Sequence, residues 1–164
     1  MELRVAKIAV VASLAAYALL VAYGNIVDYG SNFAFVGHVL SMDTTFPGNA
    51  LMARAITDPR LWHAAYAAII TAEGVSGVLL AAGAGLMLAR LRAPVAAFER
   101  AKGLVYLGGA LAFALWFFGF MVVAGEYFAM WQSKDWNGQQ GAFHIYVAVI
   151  GMLILVALPE RDSA

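Results

Sequence analysis

Glu73 is the side chain here with the clearest capacity for chemistry. It lies well inside an apolar run from Trp62 to Leu88, about 18 Å along a helix axis from the start of that run. Insertion scales put a charged side chain at such depth near 2.5–3.5 kcal/mol. Three roles can justify that cost. Glu73 can be a neutral, hydrogen-bonded acid that fixes helix packing. It can carry protons or bind a cation or polar substrate. It can also pair with a polar group on another subunit. Thr71 and Ser76 stand close enough in sequence to help satisfy it. Gly77, Ala81 and Gly85 follow at four-residue intervals, a stripe of small residues that lets a neighbouring helix approach. The stripe predicts that Glu73 faces the bundle interior.

The three histidines offer weaker patterns. His63 and His144 each lie just inside the start of an apolar run, on the same predicted side. Two imidazoles at one depth on neighbouring helices suit a six-coordinate haem b; the plainer reading is a wetted or hydrogen-bonded interfacial histidine. His38 with Asp28, Asp43 and Glu126 supplies nitrogen and oxygen donors for an external zinc, copper or manganese ion. That set has no compact spacing such as H-E-x-x-H, and the alternative is a His38 bonded to backbone or carboxylate. The chain contains no cysteine, which removes thiol–disulfide chemistry and thiolate metal sites. The glycines at 74, 77, 83 and 85 lie in an apolar run and form no phosphate loop. No Ser/His/Asp set follows from spacing, so catalytic residues are unassigned and a non-enzyme is favoured.

The elements that must position these groups are membrane helices. Of the 164 residues, 63% are hydrophobic and 12% charged, with formal net charge zero; soluble domains carry about a quarter charged residues. Apolar runs near 5–23, 62–88, 104–125 and 142–158 can each span a hydrocarbon core of roughly 30 Å. They lack period-2 alternation, and backbone groups in lipid must be satisfied internally, so helices are required. The reading is an all-α, four-transmembrane-helix bundle in one integral membrane domain, 1–164. Its helices lie at about 5–23, 60–91, 95–127 and 141–158, with a long structured outer loop, 24–59. The first run reads as a retained span and not as a cleaved leader.

Local signals refine this. Asp58-Pro59 is a helix start, with Asp as cap and Pro at the first helical position. Pro94 opens the third helix and Pro159 ends the fourth. In the outer loop, Phe33, Phe35, Val36, Val39 and Leu40 fall at near-helical spacing and predict a short helix in the interface plane. Trp62, Trp131, Trp136, Tyr127 and Phe128 match an outer aromatic belt. Arg4, Lys7, Arg90, Arg92, Arg100, Lys102 and Arg161 lie on one side; Arg54, Arg60 and Lys134 lie on the other. That bias places both termini in the cytoplasm of a bacterial inner membrane, with segments 24–60 and 126–140 outside. There is no basic stripe, which argues against nucleic acid.

The stretch from Asn25 to Pro47, NIVDYGSNFAFVGHVLSMDTTFP, resembles the bacterial family of predicted small integral membrane proteins filed as domain of unknown function 2165. The segment GEYFAMWQSKDWNGQ, Gly125 to Gln139, looks like that family's second signature, and a carboxylate in the second helix fits its pattern. The resemblance implies a four-helix inner-membrane protein of about this length and supplies no activity. It also implies arginine at the position of His144 in many members, against a family-wide haem pair. Both signatures fall on the predicted outer face, where constrained loop residues point to recognition or chemistry. The recognition set is Asn25, Asp28, Tyr29, Asn32, Phe33, His38, Asp43, Glu126, Trp131, Trp136 and Asn137. In this picture Glu126, Trp131, Asn137 and His38 meet beneath an outer cap, with Glu73 deeper.

Three functions fit these residues. One is a small accessory or structural subunit that engages a larger membrane complex, respiratory or otherwise redox-active, through its periplasmic face. A second is a small transporter or channel component with Glu73 on the path. The third is a haem or metal protein using His63 and His144, or His38. The partners implied are the lipid bilayer and either a membrane protein or further copies of the chain.

Overall fold

The computed structural model describes residues 1–160; Arg161, counted above among the basic residues, lies outside them. The elements in order are α1 (Glu2–Val27), α2 (Tyr29–Ser41), α3 (Pro59–Ala89), α4 (Val95–Ala101), α5 (Gly103–Phe113) and α6 (Gln139–Ala157). A π-helical stretch, Ala114–Tyr127, continues α5, and short 3-10 turns occupy Met52–Arg54 and Met130–Gln132. Four helices are long and apolar enough to cross a membrane: Glu2–Val27, Pro59–Ala89, Val95–Tyr127 and Gln139–Ala157. No strand forms among the described residues.

The segment read as a long outer loop is largely helical. No proline follows Tyr23 in this stretch and the helix tolerates Gly24, so α1 runs on through Asn25 to Val27. Asp28 interrupts it at φ −107°, ψ 56°, and α2 begins at once. Met42, left-handed at φ 55°, ends α2. The chain from there to Asp58 is irregular apart from its 3-10 turn, and it docks on the segment after the π-helix. Thr44 donates to Ser133 Oγ at 2.8 Å, and Gln132 Oε1 accepts from Phe46 N at 3.0 Å and from Asn49 Nδ2 at 3.1 Å. Val39, Met42, Phe128 and Met130 form the apolar core beneath this cover. At Asp58 the carboxylate accepts the Arg60 N–H at 2.9 Å, and Pro59 opens α3.

α3 is the central element, packed on α1, α2 and α5. Its buried face runs through Glu73, Ser76, Gly77, Leu80, Gly83, Ala84 and Met87. Two glycines set the helix approaches. A Cβ on Gly77 would lie 2.8 Å from Leu19 Cγ and 3.1 Å from the Leu19 backbone nitrogen; one on Gly83 would lie 2.6 Å from Val105 Cγ2. The predicted small-residue stripe therefore holds at Gly77 and fails beyond it. Ala81 and Gly85 are exposed, and a Cβ on Gly85 meets nothing within 4 Å. The reason is geometric: four residues turn a helix by about 40° more than one revolution, so a strict four-residue row drifts off the contact face. Leu20, Val78, Phe118 and Ile154 are among the large apolar residues left exposed. Such a surface suits lipid tails, which are as apolar as leucine.

At the end of the bundle where the termini meet, charge is buried. Lys7 and Lys102 are fully buried and share the Glu160 carboxylate, with Nζ–Oε1 separations of 2.5 and 3.4 Å. Lys7 also donates to the Leu158 carbonyl, and Lys102 to Glu99 Oε1 at 2.7 Å. Arg4 adds a bond to Glu160 at 3.3 Å and caps the α3–α4 connection by donating to the carbonyls of Leu91 and Ala93. Glu160 thus ties the first helix, the fourth and the start of the third together. Burial of ions is tolerated when every charge is paired and hydrogen-bonded.

Candidate functional site

Glu73 faces the bundle interior and is 2% exposed. Its Oε2 accepts a hydrogen bond from Asn25 Nδ2 at 2.8 Å. Asn25 is itself held on two sides: Oδ1 accepts from Asn32 Nδ2 at 2.6 Å, and its backbone carbonyl accepts from Tyr66 OH at 3.1 Å. The network links three elements, because Asn25 lies on α1, Asn32 on α2, and Tyr66 with Glu73 on α3. Positions 66 and 73 are seven residues apart, two helical turns on one face. Tyr66 is also packed against Tyr29 of α2, ring centroids 4.6 Å apart.

The second carboxylate oxygen, Oε1, takes no hydrogen bond from the described residues. Glu73 lines a cavity of about 220 Å³ whose other walls include Asn25, Asn32, Tyr66, Trp116 and Phe120. The last two come from the π-helical stretch, where their rings stack at 4.9 Å. π-helical turns are rare and concentrate at functional sites. Among the described residues no Lys or Arg lines this cavity. A carboxylate oxygen beside aromatic faces accepts N–H donors and favours cations, since ring faces carry negative potential. A carboxylate held by an amide beside such a space can bind a cation or exchange a proton.

Several residues singled out from the sequence lie elsewhere. Thr71 points outward and donates to the Ala67 carbonyl at 2.7 Å, while Ser76 donates to the backbone carbonyl of Glu73 at 2.9 Å. Both satisfy themselves on the preceding turn, as Ser and Thr do inside helices, and neither reaches the carboxylate. Asn25, assigned to the outer recognition face, is instead buried as the partner of Glu73. Asp28 accepts from Ser31, and Tyr29 OH bonds His63 Nδ1 at 2.8 Å, with the His63 ring stacked on Phe33 at 4.1 Å. His144 lies beside Leu14 and Tyr17 in a separate depression. His38 pairs with Asp43 at 2.9 Å and stacks on Trp136 at 4.4 Å.

Trp131 packs edge-on against Phe46, Asn137 accepts the Gln139 N–H at the start of α6, and Glu126 is exposed. Between Glu126 and Trp131, Ala129 is left-handed (φ 52°), and Trp136, next to Asn137, is the residue that stacks on His38. No group of three or more His, Asp or Glu able to hold a metal forms among the described residues. Tyr66, Trp116 and Phe120 were not singled out as site residues; as apolar-run aromatics they carry no signal beyond span composition. The Lys7–Lys102–Glu160 cluster did leave one, a lysine within the first apolar run.

Residues 3–159 match a family model described as "Predicted small integral membrane protein (DUF2165)", and the chain belongs to that family. No curated protein and no solved structure matches the chain significantly.

Proposed function

In this family member, we propose that Glu73 is the working group and that the chain binds a small organic cation beside it, as the binding component of a membrane transport system. One observation carries the reading: a buried carboxylate holds one oxygen in a bond from Asn25 and turns toward a cavity walled by Tyr66, Trp116 and Phe120. Intramembrane carboxylates that face a bundle interior mark ion and substrate pathways. The excess of basic residues on the termini side supports a periplasmic position for α2 and a cytoplasmic position for both termini in an inner membrane. The test is uptake of tetramethylammonium into proteoliposomes by wild type and Glu73→Gln. Wild-type uptake with loss in the folded variant supports the reading; equal uptake overturns it.

A second reading, an accessory subunit docked on a larger membrane complex, is favoured by an exposed ridge. Phe46, Tyr127 and Trp131 are each about half exposed at the α2 end, and Arg54 lies over the Tyr127 ring at 4.9 Å. Aromatics and arginine are enriched at protein interfaces. Purification from native membranes in mild detergent should then recover a stoichiometric partner that Trp131→Ala releases. A partner-free wild-type protein would end this reading.

A further inference from the structure

A second cavity, of about 320 Å³, lies against the Glu73 cavity, and its walls are apolar side chains throughout. α2 contributes Val39, α3 contributes Ala68, and the π-helical stretch contributes Leu115, Gly119 and Val123. Phe35, Val36, Ile69 and Phe120 line both cavities. The stacked rings of Phe35 and Phe120, centroids 6.3 Å apart, form part of the partition. Along the π-helix Trp116 lines the polar cavity, Leu115 and Gly119 line the apolar one, and Phe120 lines both. The molecule thus presents a carboxylate in one cavity and hydrocarbon in an adjacent one that shares its walls. Among the described residues neither cavity is lined by Lys or Arg, so an anionic head would meet no counter-charge.

We propose that the ligand is an amphiphilic organic cation, an ammonium bearing a hydrocarbon tail. Its head sits against Glu73 and the faces of Tyr66 and Trp116; its tail fills the apolar cavity between α2, α3 and the π-helical stretch. This rests on the reading of Glu73 given above and adds the class of substrate. Charge complementarity selects the head, and the adjacency of an apolar cavity that shares four wall residues selects the tail. A tail of about eight carbons, taking roughly 30 Å³ each by comparison with water, fits inside the apolar volume.

The experiment compares octyltrimethylammonium and tetramethylammonium binding to the full chain in dodecyl maltoside by titration calorimetry. Four proteins are used: wild type, Glu73→Gln, Gly119→Leu and Ala68→Leu. A Cβ on Gly119 meets only ordinary contacts, Leu115 Cδ1 at 3.8 Å and the Ala114 carbonyl at 4.0 Å, so a leucine there fills the apolar cavity without displacing backbone. Octyltrimethylammonium should bind Gly119→Leu and Ala68→Leu at least tenfold more weakly than wild type. Tetramethylammonium should bind all three alike, Glu73→Gln should lose both cations, and octyl sulfate should not bind. If octyltrimethylammonium binds either folded cavity-filling variant as tightly as wild type, the tail assignment is overturned while Glu73-dependent tetramethylammonium binding keeps the first reading. If Glu73→Gln binds both cations like wild type, both readings fall.

Discussion

Asn25 donates to Glu73 across the α1–α3 interface at 2.8 Å, a side-chain bond between two buried polar residues 48 positions apart in the chain. It places the amide of one span on the acid of another, and the acid lines the cavity. The same amide bridges onward to Asn32, so α2 is registered on the bundle by the same group.

Asn25→Ala should destabilise the protein by about 1–3 kcal/mol, because the buried Glu73 would lose its hydrogen-bond partner. Glu73→Gln retains an acceptor for Asn25 and should change stability by less than about 1 kcal/mol. Thermal unfolding in a neutral detergent, followed by tryptophan fluorescence, separates the two. Equal stability of Asn25→Ala and wild type would mean that the amide–acid bond contributes nothing to the fold.

Gly77→Ala should destabilise by about 1–3 kcal/mol through overpacking, since its Cβ would press on both the side chain and backbone of Leu19. Gly85→Ala faces outward with open space and should be neutral, or stabilising by up to about 1 kcal/mol through helix propensity. Parallel melting curves provide the check. Similar losses at both positions would restore the four-residue stripe as the contact face.

Acidification should weaken the termini end. Burial pushes the Glu160 carboxyl up, but the hydrogen bonds and charges of Lys7 and Lys102 outweigh it and hold the group below the usual carboxylate range. A depressed folded value stabilises the native state above the unfolded value of about 4.3 and loses that contribution as pH falls through the folded value. Glu160→Gln should cost about 3–5 kcal/mol at neutral pH by leaving the buried Lys7 ammonium without its carboxylate, and its melting temperature should fall less than that of wild type below about pH 4.3. Wild-type and variant profiles that stay parallel from pH 7 to 3 would remove Glu160 from this role.

The absence of native cysteine makes orientation directly measurable. In intact cells, a membrane-impermeant maleimide should label Asn137→Cys from the periplasm and leave Arg92→Cys unmodified until the membrane is opened. Both positions are exposed in the fold. The reverse pattern would invert the orientation inferred from the basic residues.

The four spans were legible because hydropathy over about 20 residues is a local sum, insensitive to what each helix later touches. Asp58-Pro59 was readable for a similar reason: a cap and its proline act within one turn. The outer segment was less legible. Its polar and aromatic density suggested a loop, yet its apolar residues at helical spacing, Phe35, Val36 and Val39, are the ones that α2 turns toward the bundle.

Glu73 announced itself as a charge in an apolar run, and the interior-facing assignment followed from the small residue at Gly77. Its partner did not follow. Asn25 lies near a span end and Thr71 within a span, and only the packing of α1 on α3 brings the first to the carboxylate while Thr71 bonds its own helix. Composition and periodicity determined how many helices cross and which acid is buried among them. Tertiary structure decided which face each helix presents, that a π-helix would set Trp116 and Phe120 beside Glu73, and that Lys7 and Lys102 would share Glu160. The physical reason is that burial depends on local composition, whereas a hydrogen bond or ion pair needs angstrom-scale register between helices distant in sequence.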